Sequence, residues 1–121
     1  MLKSSKNPYR ETLNDGYLIY GKKITERTAS LKKIGETFLE EGKLAFRILS
    51  ARESDYQMIG AMNSSLDLKV KTLNPPKFLR ISKNDLTVYI KNEEYDVIKA
   101  DRDDDRTYLY FYLQKVGVRI E

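Results

Sequence analysis

The sequence contains no cysteine and no histidine. Without cysteine, the chain can form no disulfide, thiolate nucleophile or sulfur-ligated metal site. Without histidine, it lacks the commonest general base near neutral pH and the imidazole on which zinc sites and Ser-His-Asp triads depend. We therefore predict a protein that is not an enzyme, with no catalytic, cofactor-binding or metal-binding residues. A site built only from carboxylates, lysines and tyrosines is the alternative.

Long apolar runs and phosphate-binding loops are also missing. No stretch approaches the roughly 20 apolar residues of a bilayer-spanning helix, and residues 1–6 lack the apolar segment of a signal peptide. The glycines are scattered and form neither GxGxxG nor GxxxxGK[ST]. We expect a protein made in a cytoplasm, with no membrane partner and no nucleotide cofactor.

The charged residues are of both signs and are mixed along the chain. There are 22 lysines and arginines against 18 acids, a net charge of +4, and no basic run of five or more. This pattern is typical of a solvated surface. Nucleic-acid binding would be better indicated by a basic stripe with aromatic side chains between the charges.

A length of 121 residues indicates one domain. Residues 1–15 are rich in Lys, Ser, Asn and Asp, carry Pro8 and offer few apolar side chains. We predict a flexible arm there, ordered only by a partner. Residues 16–121 are predicted to form a single β-rich domain.

Alternating side chains predict most of the strands. Leu66, Leu68, Val70 and Thr72 alternate with polar residues between them, which indicates a half-buried strand with Lys69 on its solvated face. Further strands are predicted at residues 17–20, 44–49, 86–90, 95–100 and 107–116, with residues 91–94 as a polar turn. In the second of these, Leu44, Phe46 and Ile48 are predicted to point inward.

The remaining segments are less regular. Residues 28–41 fit a helix poorly because Gly35 interrupts them, so extended or hairpin structure is favoured. Ser54 is predicted to cap a short helix over residues 55–62, with Tyr56, Ile59 and Met62 on one side. The fold class is therefore mainly β: a small antiparallel β-barrel or sandwich with a long loop and at most one or two short helices.

An acidic cluster at residues 101–105 invites comparison with a calcium loop. Arg106 stands where that loop requires glycine, and Tyr112 stands where it requires a bidentate glutamate. The cluster also lacks a pocket that would separate two carboxyl pKa values. A solvated hairpin tip is the better interpretation.

The last strand supplies the candidate interface. Its alternation places leucines and a phenylalanine on one face and Tyr108, Tyr110 and Tyr112 on the other. Tyrosine is favoured at interfaces because it combines large contact area with a hydroxyl that tolerates water. Arg52 and Asp55 form a salt-bridged corner or a contact to another subunit. The alternative for the tyrosines is that another segment of the same chain covers them.

Five short segments are distinctive when their order and spacing along the chain are taken together: residues 42–47, 50–55, 68–72, 92–98 and 106–113. The fourth contains Tyr95-Asp96-Val97-Ile98, and the fifth runs from Arg106 to Leu113. Together they resemble the head-tail joining proteins of tailed bacteriophages, also described as head closure or head-tail adaptor proteins. The resemblance is best over residues 42–116.

The resemblance implies a small β-barrel with a long loop, without catalytic residues or a cofactor. It implies a structural neck protein of the virion, made in the host bacterial cytoplasm, that forms a homo-oligomeric ring, closes the DNA-filled head and joins it to the tail. The implied partners are the portal or adaptor ring and tail proteins, and packaged DNA in the channel would be contacted without sequence specificity. Tail completion and a small nucleic-acid-binding β-barrel are the alternatives.

Overall fold

The computed structural model describes residues 12–27, 33–76, 78 and 86–116. Within them lie six strands and one helix. Their bounds in chain order are β1 Gly16–Arg27, β2 Lys33–Leu49, α1 Glu53–Ala61, β3 Leu68–Leu73, β4 Leu86–Ile90, β5 Glu93–Arg102 and β6 Tyr108–Lys115. Of the predicted N-terminal arm, only residues 12–15 belong to the described residues.

The strands form one antiparallel sheet in the order β1-β2-β3-β6-β5-β4, and pairing of β4 with β1 closes it into a barrel. Neighbours in sequence pair as hairpins in β1-β2, β4-β5 and β5-β6. The pairings β3-β6 and β1-β4 join strands that lie far apart in the chain. The predicted fold class, mainly β and antiparallel with one short helix, is confirmed.

Side chains at alternate strand positions fill the barrel. On β6, Leu109, Phe111 and Leu113 are fully buried, as the alternation predicts. The Phe78 ring packs edge-on against Tyr20 and Phe111, with ring centroids 5.4 and 5.8 Å away. Each large apolar side chain buried in this way contributes about 1.5–3 kcal/mol. The other core members are Leu18, Phe46, Val70, Leu86, Val88, Ile90 and Tyr95.

The β1-β2 hairpin is longer than the sequence indicates. Residues 33–41 are extended, which confirms the preference for strand over helix in that part of 28–41, whereas residues 28–32 lie outside the described residues. At the far end of β2, the inward assignment of Ile48 is wrong, because its side chain is 50% exposed while Phe46 on the same face is buried. Ile48 lies at the end of β2, where its backbone N–H donates to Asp15 Oδ2 at 2.7 Å.

The β1-β2 pairing contains a β-bulge at the point where Tyr20 pairs with Gly42 and Gly21 pairs with Glu40. Glycine is required there because the strands approach closely. A Cβ at position 21 would lie 2.1 Å from the carbonyl oxygen of Leu39. A Cβ at position 42 would lie 2.6 Å from the hydroxyl of Tyr20. A bulge of this kind bends its strand and increases the local twist.

The short helix exists, but it starts earlier than predicted. Arg52, not Ser54, is the N-cap, and the Asp55 carboxylate accepts from the Arg52 backbone N–H at 2.9 Å. Of the three apolar side chains predicted to share one side, Ile59 is buried, whereas Tyr56 and Met62 are half-exposed. The face that a helix buries depends on what lies beneath it, and a helix this short carries little periodicity from which to infer it.

The β4-β5 connection is a two-residue turn at Lys91 and Asn92, both with positive φ, as a type I′ hairpin turn requires. Glu93 and Glu94, predicted in the turn, belong to β5. The described part of the chain contains no helix with the length and apolar character needed to span a bilayer.

Candidate interaction surface

Strands β3 and β6 run side by side and carry alternating cations and phenols on the outside of the barrel. The register pairs Lys69 with Tyr112 and Lys71 with Tyr110, on the face opposite the buried Phe111. We call this set the lysine–tyrosine ladder: Lys69, Lys71, Tyr108, Tyr110 and Tyr112.

Each lysine of the ladder lies against two rings. Lys71 Nζ is 4.2 Å from the centroid of the Tyr108 ring and 5.5 Å from that of Tyr110. Lys69 Nζ is 5.3 Å from the ring of Tyr112 and 5.9 Å from that of Tyr110. Such cation–π contacts contribute about 0.5–1 kcal/mol when exposed and ~2 kcal/mol when water is excluded. They allow Lys71 to be buried on the outside of the sheet.

Helix α1 covers one end of the ladder. Lys69 Nζ donates to Asp55 Oδ2 at 3.0 Å, and the same carboxylate oxygen accepts from the backbone N–H of Arg52. Asp55 lies in the first turn of the helix, where the helix dipole favours a negative charge. The ion pair therefore fixes the start of α1 to β3.

Tyr112 lies beneath the same helix. It is only 7% exposed and forms a second apolar cluster with Ile59 and Leu66, separate from the barrel interior. The prediction of a half-buried β3 with a solvated lysine face is wrong for this reason. Alternation in the sequence shows only that the lysines of β3 share one face. That face is buried by helix α1 and by the tyrosines of β6, which are not adjacent to β3 in the sequence.

The pKa values of two ladder contacts are shifted. Burial raises the pKa of the Tyr112 hydroxyl, and the negative charges of Asp55 and Asp101 raise it further. Burial alone would also raise the pKa of Asp55, but the Arg52 backbone N–H and the Lys69 ammonium outweigh it and hold that pKa below its ordinary value. At neutral pH the ladder thus presents a neutral phenol at Tyr112 and a charged carboxylate at Asp55.

The other end of the ladder is not covered by α1. Tyr108 is partly exposed there, and Leu73, which pairs with it, is exposed. Tyr110, in the middle of the ladder, is partly exposed and packs against the cluster that contains Ile59 and Tyr112. Of the residues predicted for an interface, Asp55 and Tyr112 are therefore held inside the protein, Arg52 is exposed, and Tyr108 and Tyr110 remain accessible. The Lys69 contact supports the corner interpretation for Asp55. The interface role of the set stays a prediction.

The acidic cluster ends a hairpin, as predicted. Asp101 and Arg102 belong to β5, and Asp103 Oδ1 accepts from the backbone N–H groups of Thr107 and Tyr108 at 2.9 and 3.2 Å. This carboxylate is therefore engaged in the turn. Among residues 12–27, 33–76, 78 and 86–116, no group of three or more acidic side chains is arranged to hold a metal ion.

A second aromatic surface was not anticipated from the sequence. Tyr17, 63% exposed, has Lys43 Nζ 4.9 Å from its ring centroid, and the Phe38 ring meets Tyr89 edge-on at 4.7 Å. With Lys91 they line an open groove on the outside of β1, β2 and β4. Only the pairing register brings these residues together, since they come from three separate strands.

Comparison with known proteins gives a structural likeness. A chain in a solved structure described as the virion of a native gene transfer agent (GTA) particle superposes with a TM-score of 0.52 at 12% sequence identity. The alignment covers 84% of this chain and 94% of that chain. No protein family model and no curated protein matches the sequence. At this identity the likeness shows a shared fold over nearly the whole of both chains.

Proposed function

We propose that the protein is a non-catalytic structural component of a phage-like virion, located at the neck between head and tail. The observation that carries the proposal is the fold shared with a chain of a GTA virion over 94% of that chain. The sequence resemblance to head-tail joining proteins supports the same class of protein. The neck position and the portal, adaptor and tail partners rest on that resemblance.

The open end of the lysine–tyrosine ladder is the contact surface that we assign to this role. Tyr108 presents a partly exposed ring, and Leu73 adds exposed apolar area beside it. Tyr110 is partly exposed next to Tyr108 and packs on its other side against the α1 cluster. Lys71 is held between the two rings, so little side-chain freedom would be lost on binding. A preorganised aromatic patch with a polar margin is typical of protein interfaces.

Genetic removal tests the proposal directly. In the strain that produces the particles, loss of this chain should leave heads and tails unjoined, and added purified protein should restore joined particles counted by electron microscopy. Joined particles at the normal level without the chain would contradict a neck role.

Variants refine the test. Tyr108→Ala should impair joining while lowering the free energy of unfolding by only about 1–2 kcal/mol, because it removes one of the two rings that lie against Lys71. Tyr17→Ala is the matched control, an exposed tyrosine on the other surface, and should join normally. Phe111→Ala should cost about 3–5 kcal/mol because it removes a core ring. A Tyr108→Ala protein that joins as well as Tyr17→Ala would rule out the ladder as the contact.

The second aromatic surface favours one other function, a small barrel that binds single-stranded nucleic acid. Tyr17 and Lys43 combine a ring for stacking with a cation for phosphate. Glu40 lies in the same groove, which weakens its attraction for phosphates. Titration with a fluorescent oligonucleotide at several salt concentrations separates the two functions, because phosphate binding must weaken steeply as salt rises. A neck protein should show no such binding.

A further inference from the structure

The β1-β2 hairpin continues past the point where β1 stops pairing with the barrel wall. In the described part of the chain, the pairing of β1 with β4 ends at the pair Lys22–Leu86. We call the hairpin beyond that pair the ribbon, residues 23–27 of β1 and 33–38 of β2. The β-bulge lies immediately before it, and a bulge bends its strand. The ribbon therefore leaves the barrel at a bend.

Two cross-strand pairs meet where the ribbon lies on the outer wall. Lys23 and Phe38 are paired in the ribbon, and Tyr89 and Glu94 are paired in β4-β5. The Phe38 and Tyr89 rings meet edge-on with their centroids 4.7 Å apart, and the Lys23 ammonium forms an ion pair with the Glu94 carboxylate. The Tyr89 hydroxyl donates to Glu94 Oε1 at 3.3 Å. We call these four side chains the latch.

The base of the ribbon covers side chains that face away from the barrel interior. Val88 faces the interior, so its neighbour Thr87 faces outward, yet Thr87 is only 4% exposed. Glu94, also on the outer face, is 9% exposed. Thr87 pairs with Gly21, and a Cβ at position 21 would lie 2.9 Å from the Phe38 ring. The missing side chain at Gly21 thus leaves room for the Phe38 ring to lie over this part of the wall.

Open space lies beside the latch. A cavity of about 320 Å³ separates Lys23 of the ribbon from the wall of β4 and β5, and the wall residues that line it are Leu86, Thr87, Asp96 and Val97. On the other face of the ribbon, Ile24 is about half exposed. Segments with few buried apolar contacts open at a lower free energy than the whole fold. The latch is therefore the contact whose loss would release the ribbon.

We propose that the ribbon is a strap that swings off the outer wall as a unit while the barrel stays closed. The latch holds the strap shut, and the bulge with Gly21 and Gly42 is its hinge. Phe38 and Tyr89 also line the groove of the second aromatic surface. Opening of the strap separates these two rings and takes that groove apart. The position of the strap thus controls the second aromatic surface, independently of the neck role.

Thiol labelling tests the strap without background, because the chain contains no cysteine. Thr87→Cys places a thiol on the outer wall beneath the strap, and Val88→Cys places one inside the barrel at the next position. Both proteins are exposed to a chromogenic disulfide reagent under native conditions. The thiol at position 87 should react at least about tenfold faster than that at position 88, since strap opening requires less free energy than global unfolding.

Variants on both sides of the latch identify what holds the strap. Glu94→Gln removes the charge that pairs with the ribbon, and Phe38→Ala removes the ring. Each should raise the labelling rate of the outer thiol about tenfold and leave that of the inner thiol unchanged. The matched controls are Glu93→Gln, at the adjacent glutamate that pairs with a lysine of β6, and Leu39→Ala, on the exposed face of the hairpin. Both controls should leave both rates unchanged.

Three results would overturn the inference. Equal labelling of the two thiols in the unmodified background would mean that the outer wall opens only when the whole barrel unfolds. Latch variants that accelerate both thiols equally would make these residues part of the barrel's global stability. Latch variants that change neither rate would show that the four side chains do not hold the ribbon. Failure of the neck role would leave these rates unaffected, because they are measured on the purified chain.

Discussion

Asp55 shows at the scale of a single residue how this fold joins its parts. Its carboxylate accepts from the N-cap backbone of α1 and from the Lys69 ammonium on β3. The charges of Arg52 and Asp55 and their closeness in the sequence were enough to predict a polar corner at this point of the chain. The pairing of Asp55 with Lys69 could not be inferred in this way, because Lys69 belongs to β3, the strand that follows the helix in the chain.

The lowered pKa of Asp55 gives a pH-dependent prediction. Since the folded pKa lies below the unfolded value of about 3.9, the ionised carboxylate stabilises the fold above that pH and loses its effect as pH falls through the folded pKa. Asp55→Asn should lower the free energy of unfolding by about 1–3 kcal/mol at neutral pH. The difference from the unmodified protein should shrink when the pH is lowered from neutral to an acidic value below the folded pKa of Asp55. Denaturant melts at both pH values measure it, with Asp104→Asn as the exposed control. A loss of equal size at both would exclude the charge as its cause.

At the scale of an element, the β1-β2 hairpin shows where alternation stops being informative. Tyr17–Tyr20 was recognisable as a strand, and Gly21 resembled its end. In the structure Gly21 lies inside β1 and does not end it. Glycine is needed at this position because, at the bulge on β2, the Leu39 carbonyl oxygen comes too close to leave room for a side chain. A one-residue irregularity on the partner strand leaves no periodic trace in β1 itself.

Replacement of that glycine tests the bulge. Gly21→Ala should lower the free energy of unfolding by about 3 kcal/mol, since its Cβ would overlap backbone rather than a movable side chain. Gly60→Ala is the matched control: no atom lies within 4 Å of a Cβ there, and alanine in a helix gains up to about 1 kcal/mol. Thermal unfolding of the two variants compares them. Tolerance of both alanines would mean that the bulge is not tight.

At the scale of the whole molecule, strand number and fold class were predictable, whereas the closed order was not. Leu86, Val88 and Ile90 alternate clearly, so β4 was placed correctly, but nothing in that alternation says that β4 pairs with β1. The same holds for the ladder, which exists only because β6 inserts between β3 and β5. Which strands pair depends on the combined stability of all the pairings in the sheet, so the sequence of a single strand does not identify its neighbours.

The position of β6 leads to a prediction for the complete fold. A chain that ends after residue 105 lacks β6, which leaves the facing edges of β3 and β5 without a partner and removes Leu109, Phe111 and Leu113 from the core. It should lose cooperative unfolding and aggregate, measured by calorimetry and light scattering. Addition of a peptide of residues 106–116 should restore part of the soluble fold if the missing strand is the cause. A truncated chain that melts cooperatively on its own would show that β6 is dispensable.

Because β6 pairs between two strands that are synthesised earlier, its position also determines when the barrel can close during synthesis on the ribosome. The strand that closes the sheet is the last of the six to be synthesised, so hairpins can form early but the barrel cannot close until β6 has emerged. During that interval the nascent chain presents two unpaired strand edges to every neighbouring nascent chain. That interval is the period in which the nascent chain is most exposed to chaperones and to misassembly.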